Sequence, residues 1–135
     1  MTMNVNRPLP AMQRCAVPFW ESIKNGELAI QKCKHCGKYI FHPKFFCPEC
    51  LSDELEWEVV SGKASLYTFV TFEPGQSPFG GEEGLTVALV DLDIGVRMCT
   101  NIINTKPEDI KIGMDLKFEP LWIREDFALP TFTRA

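Results

Sequence analysis

The chain has 135 residues, 45% of them hydrophobic and 24% charged, an ordinary globular composition that fits one compact unit or two small ones. Its net charge of −4 is unevenly divided: residues 1–50 carry seven Lys and Arg against three acids, and residues 51–135 carry seven against fifteen. The second part, at −8, repels phosphate backbones, so a nucleic-acid role would rest on the first part alone, and no stretch is long and apolar enough to span a membrane.

Residues 1–14 hold Pro8 and Pro10 and show no apolar periodicity, which predicts a leader that is extended or disordered until something holds it. No basic segment leads into an apolar run after the opening Met-Thr-Met-Asn, so no secretion signal is visible and a reduced, cytoplasmic setting is expected. Residues 18–26 predict a short helix, with Pro18 at its first position and Gly26 ending it. Phe19, Trp20 and Ile23 share one face at helical spacing. A helix this short is marginal without a surface to dock on, which is either the chain's own core or a partner, and the three are candidate partner-binding residues.

An alternating segment, 28–32, runs into Cys33-Lys34-His35-Cys36, residues 39–41 lead away, and a second knuckle, Cys47-Pro48-Glu49-Cys50, follows ten residues after the first. Each Cys-x-x-Cys turn can aim two thiolates at one ion, and the hairpin between them brings the second pair round to complete a tetrahedron. Cys33, Cys36, Cys47 and Cys50 thus predict a structural zinc site, iron being the alternative that spacing leaves open. Two disulfides would need an oxidising compartment, and a redox Cys-x-x-Cys would need a single pair beside a β-α-β pattern. With four sulfurs around it, the ion would have no open position for water. Lys32, Lys34, Lys38 and Lys44 cluster about this anionic centre, and His35 and His42 read as surface residues of the hairpin. Cys15 and Cys99 are left over as ordinary thiols. Metal binding of about 10 kcal/mol or more stands in for a core in such a ribbon.

From Leu55 the pattern is all-β: strands are expected at 55–60, 64–72, 85–92, 96–103, 114–118 and 121–124, with Asp93-Ile94-Gly95 as a hairpin turn and 107–113 as a turn or single helical turn. A small closed barrel of the OB type fits this series, with an SH3-like barrel or open sandwich as the fallback. Residues 73–84 form a long loop with four glycines and two prolines, which lacks the Gly-Lys-Ser or Gly-Lys-Thr of a phosphate-binding loop. Phe79 at its centre has to find cover, on a partner or on the chain itself. No nucleophile–base motif and no paired acids in apolar context appear, and Asp91 and Asp93 flank a turn as solvated carboxylates do. The expected fold is mainly β, with a leader and short helix over 1–26, a zinc ribbon over 27–54 and an OB-type barrel over 55–135. By its residues alone the chain reads as a binding or assembly module.

Pro18-Phe19-Trp20-Glu21, the step Gly26-Glu27-Leu28, both knuckles, Gly62 before Leu66-Tyr67-Thr68-Phe69, Val87-Ala88-Leu89-Val90-Asp91-Leu92, the turn from Pro107 to Met114 and the closing Leu129-Pro130-Thr131-Phe132 together resemble one family. It comprises small proteins with an N-terminal helix, a rubredoxin-like zinc ribbon and a C-terminal OB fold, long filed as a domain of unknown function and associated with acyl-CoA metabolism. The resemblance implies a non-catalytic subunit of a thiolase-like acyltransferase, completing or gating the CoA-thioester site of a partner that carries the catalytic residues. It makes Lys32, Lys34, Lys38 and Lys44 candidates for the phosphates of CoA. An accessory role beside an enoyl-CoA hydratase or aldolase, a nucleic-acid-binding OB protein and an autonomous acyl-CoA carrier are the competing readings.

Overall fold

The computed structural model describes residues 9–76 and 84–135. A 3-10 turn, Arg14–Ala16, leads into helix α1, Val17–Lys24, with Pro18 in the first turn, where its missing N–H has no intrahelical role. Gly26 ends the helix at φ +76°, donating its N–H to the Ile23 carbonyl at 3.0 Å. The buried Ser22 hydroxyl donates to the Phe19 carbonyl at 2.7 Å and accepts from the Ala29 N–H at 3.2 Å, which ties α1 to the strand that follows. Among the described residues no helix is long and apolar enough to cross a membrane.

Strands β1 (Leu28–Cys33), β2 (Tyr39–Ile40) and β3 (Leu55–Val60) form an antiparallel sheet in the order β2-β1-β3. The β1–β2 hairpin is as expected. Strand β3, expected in the barrel, lies instead along the whole of β1, from Leu28 opposite Val60 to Cys33 opposite Leu55. Alternation announces a strand and its faces but leaves its neighbour open, and here the neighbour is the ribbon.

The second sheet has the order β6-β5-β4-β7-β8, made of β4 (Lys63–Phe72), β5 (Leu85–Leu92), β6 (Arg97–Asn101), β7 (Asp115–Arg124) and β8 (Phe127–Arg134). All its ladders are antiparallel; a parallel bridge from Ile102 to Phe132 and the Ile103 N–H on the Phe132 carbonyl at 2.8 Å bring the two ends together. The result is the near-closed five-strand barrel the OB reading requires, with a 3-10 turn, Pro107–Asp109, before β7. Two short strands were expected over 114–124, yet β7 runs unbroken through Pro120. Pro120 lies opposite Pro130, so the ladder loses its donors at a single rung. Strand β8, which contains Pro130, lies beyond the strands expected from the sequence.

One core runs through the molecule. Phe19 and Ile23 of α1 and Leu28 and Ile30 of β1 join Leu66, Val90, Leu92, Met98, Leu116 and Phe132 of the barrel. Each such fully buried apolar side chain contributes about 1.5–3 kcal/mol of transfer free energy. Cys33, Ile40 and Cys47 form a separate small cluster, with Cys50 and Leu55 against it.

Candidate metal centre and its surroundings

Both knuckles are built to one pattern. The Cys33 N–H reaches the Lys38 carbonyl at 2.9 Å and the Gly37 N–H returns to the Cys33 carbonyl at 2.9 Å; the Cys47 N–H reaches Ser52 at 2.8 Å and the Leu51 N–H returns to Cys47 at 2.9 Å. These loops gather the four sulfurs within 4.8 Å of one another, with 3.6 Å between Cys33 and Cys50 and 3.6 Å between Cys36 and Cys47. A tetrahedral ion with metal–sulfur bonds of about 2.3 Å sets its ligands about 3.8 Å apart, so the spacing fits. It is far beyond the roughly 2.05 Å of a disulfide, and all six cysteines are free.

The donor set is electrostatically divided. An N–H of Cys36, 3.4 Å from the Cys33 sulfur, is the largest influence on that thiol and, against the opposing effect of burial, lowers its pKa to about 6. Cys47 is lowered likewise, first by the Cys50 N–H. At Cys50 the Ser52 N–H lowers the pKa, but burial and hydrogen bonds with the neighbouring sulfurs outweigh it and push the value up to about 12. Cys36 is raised in the same manner against the Lys38 N–H. Four sulfurs this close cannot all ionise alone, and a divalent cation is the group that lets them.

Around the centre, Lys32 lies 3.8 Å from a Glu58 carboxylate oxygen and 5.1 Å from the centre of the Tyr39 ring, and Tyr39 donates to Glu58, which raises the tyrosine pKa. Lys38 pairs with Glu49 at 3.4 Å. Among the described residues no carboxylate lies within 4.0 Å of Lys34 or Lys44. The four lysines therefore divide into two that answer to this chain's own acids and two that do not. His35 and His42 are exposed and stand outside the sulfur cluster.

Phe19 and Ile23, candidates for either the chain's own core or a partner surface, are buried in the core at 4% and 0% exposure, because α1 packs between β1 and β8. Trp20 is half-buried, its ring 5.1 Å from Phe127 and 5.3 Å from Phe19. Phe79 lies outside the described residues. Sequence reasoning passed over Gln31, buried on β1, whose side-chain amide donates to the Lys44 carbonyl at 2.9 Å and accepts the Lys44 N–H at 2.8 Å. Also missed were Phe45, Phe46 and Leu51, which stand exposed on either side of the second knuckle. A glutamine inside an apolar strand and a Phe-Phe pair beside a metal knuckle were the available signals.

Asp91, read as a solvated turn acid, instead takes two hydrogen bonds from Arg97, at 2.6 and 3.1 Å, across the β5–β6 hairpin. The Arg97 guanidinium lies 3.5 Å from the centre of the Tyr67 ring and holds the Asp91 carboxyl below its ordinary value.

Residues 20–56 match the family model described as "ChsH2, rubredoxin-like zinc ribbon domain", and residues 57–119 match "ChsH2, C-terminal OB-fold domain". A "DUF35 domain-containing scaffold protein" of Methanocaldococcus jannaschii is 31% identical over 115 residues, which cover 84% of this chain and 82% of that one. A "Probable enoyl-CoA hydratase alpha subunit" of Thermomonospora curvata is 33% identical over 132 residues, 96% of this chain, which spans only 40% of that protein's length. The solved structure "Ltp2-ChsH2(DUF35) aldolase" contains a chain that superposes with a TM-score of 0.84 at 29% identity, covering 93% of this chain and 98% of that one. The ribbon with its four clustered cysteines, the near-closed barrel behind it and these likenesses along nearly the full length make this chain a member of the DUF35 family, of the ChsH2 zinc-ribbon and OB-fold type.

Proposed function

We propose that the chain is a non-catalytic scaffold subunit of an enzyme complex that processes acyl-CoA thioesters, with a structural zinc ion held by Cys33, Cys36, Cys47 and Cys50. The observation that carries this reading is the likeness to a DUF35 chain solved in an aldolase complex, at a TM-score of 0.84 over 93% of this chain. The sulfur geometry supports the metal, since four thiolates satisfy a tetrahedral ion and leave it a structural role. For the partner, a hydratase- or aldolase-type subunit comes first, because relatives bear those names. The thiolase-like acyltransferase expected from the sequence is not named in the three relatives above. The CoA thioester belongs to the complex, and of the four lysines first considered for its phosphates, Lys32 and Lys38 are paired with carboxylates of this chain.

Affinity purification of the tagged chain from its native cells, with identification of what accompanies it, tests the proposal. A stoichiometric enoyl-CoA hydratase or aldolase subunit is expected. A preparation in which the chain stands alone, or one retained on single-stranded DNA, would refute it.

A further inference from the structure

The second knuckle departs from local rules in two ways that point outward. Phe45 and Phe46 are 65% and 58% exposed and Leu51 is 75% exposed; Val59, Val70 and Ile112 are also more than half exposed but lie apart in the sequence, whereas these three fall within seven residues about one knuckle. Leu51 also adopts φ +64°, at the position where the first knuckle, under the same hydrogen bonds, has Gly37 at φ +77°. A leucine in the left-handed region costs the fold where glycine would not. The segment bearing the two phenylalanines is meanwhile clamped from beneath: Gln31 fixes both backbone groups of Lys44, and the Cys15 sulfur lies 3.5 Å from the Pro43 carbonyl. An apolar tip that is strained, displayed and rigidly held suits the centre of an interface, because its side chains lose little freedom on binding.

Charge selects the occupant. Lys44 adjoins Phe45, Lys34 lies on the neighbouring knuckle, and neither has a carboxylate of the described residues within 4.0 Å. Residues 51–135, at −8, oppose an anionic membrane or a nucleic acid as the counterpart. We propose that Phe45, Phe46 and Leu51, flanked by Lys34 and Lys44, form the face on which the catalytic subunit docks, and that its counterpart is an apolar pocket rimmed with carboxylates. This inference rests on the scaffold reading and adds to it the surface used.

The test employs the hydratase- or aldolase-type subunit identified by co-purification, added purified to the zinc-loaded full chain in a titration followed by calorimetry. Phe46→Ser is expected to weaken association at least tenfold. Lys34→Glu with Lys44→Glu should weaken it and flatten its dependence on salt, while Ile112→Ser, at a barrel residue 70% exposed, should leave it unchanged. Leu51→Gly separates docking from folding: it should hold or raise the melting temperature, by relieving the left-handed strain, and still weaken association. Wild-type affinity in Phe46→Ser and Leu51→Gly would overturn the docking face and leave the scaffold reading standing. Failure of the wild-type chain to bind any such subunit would overturn both. Phe46-dependent self-association, binding to vesicles of phosphatidylcholine and phosphatidylserine, or CoA binding by the isolated chain that the lysine pair abolishes would reassign the tip and overturn the proposal.

Discussion

Gln31 shows how one side chain can set the shape of the proposed docking surface. It is 5% exposed, in a strand otherwise turned to the core, and its amide exchanges both of its hydrogen bonds with the Lys44 backbone. Gln31→Ala strands a peptide N–H and C=O, and a loss of about 1–3 kcal/mol is expected, with faster hydrogen exchange at the Lys44 amide as the local check. The cysteines are subject to a stricter rule, because three thiolates cannot hold the ion as four do. Cys33→Ser or Cys50→Ser should give protein that is insoluble and contains no metal by elemental analysis; soluble, metal-free and partner-competent protein would contradict the assignment. Asp91 makes a smaller, pH-dependent contribution. Its folded pKa lies below the ordinary 3.8, so the stability it adds with Arg97 is fully present above that value and disappears as pH falls through the lowered one. Since both side chains are well exposed, Asp91→Asn should cost less than about 1 kcal/mol at neutral pH in chemical denaturation, and nothing in strong acid. At this scale the four clustered cysteines were legible because metal chemistry fixes their spacing, whereas Gln31 was not, since its partner is a backbone distant along the sequence.

Elements were legible through periodicity, and their pairings were not. The helix, the β1–β2 hairpin and the β5–β6 hairpin follow from local signals: Pro18, Gly26, the knuckle, and Gly95 in its turn. Strand β3 reads as a strand in any setting, and only the course of the chain through Gly62 sends it along β1. That glycine sits at φ +79°, its carbonyl accepts the Phe118 N–H at 2.8 Å, and an added Cβ would stand 2.8 Å from the Phe118 Cβ. Gly62→Ala therefore combines left-handed strain with a clash on β7, and should lower stability by roughly 2–4 kcal/mol in denaturant titrations, more than Gly95→Ala, where the space is open. Equal losses at the two positions would show that the junction is looser than its geometry indicates. Pro120 and Pro130 would each argue against a strand if read singly, and their shared rung shows why both are tolerated.

As a whole, the molecule couples its four-cysteine cluster to its barrel through α1 and β1. Leu28 and Ile30 share a core with the barrel, and Cys33 terminates the same strand. Removing the metal should then lower the melting temperature of the entire chain in one transition, whereas a barrel that melts unchanged after chelation would mean two independent units. The architecture of helix, ribbon and barrel could be read from the order of motifs, since each carries its own pattern. A partner could not, because the sequence records this chain's surface and leaves any opposing one unwritten; of the two places open to Phe19 and Ile23, the chain's own core is where both lie. The proposed division of labour between a scaffold and an enzyme can nevertheless be measured, by following hydrolysis, hydration or cleavage of an acyl-CoA thioester with the zinc-loaded chain, with the co-purified hydratase- or aldolase-type subunit, and with the two recombined. No turnover by the chain alone and restored turnover by the recombined pair are expected; turnover by the chain alone, or a pair that neither associates nor gains activity, would contradict the account.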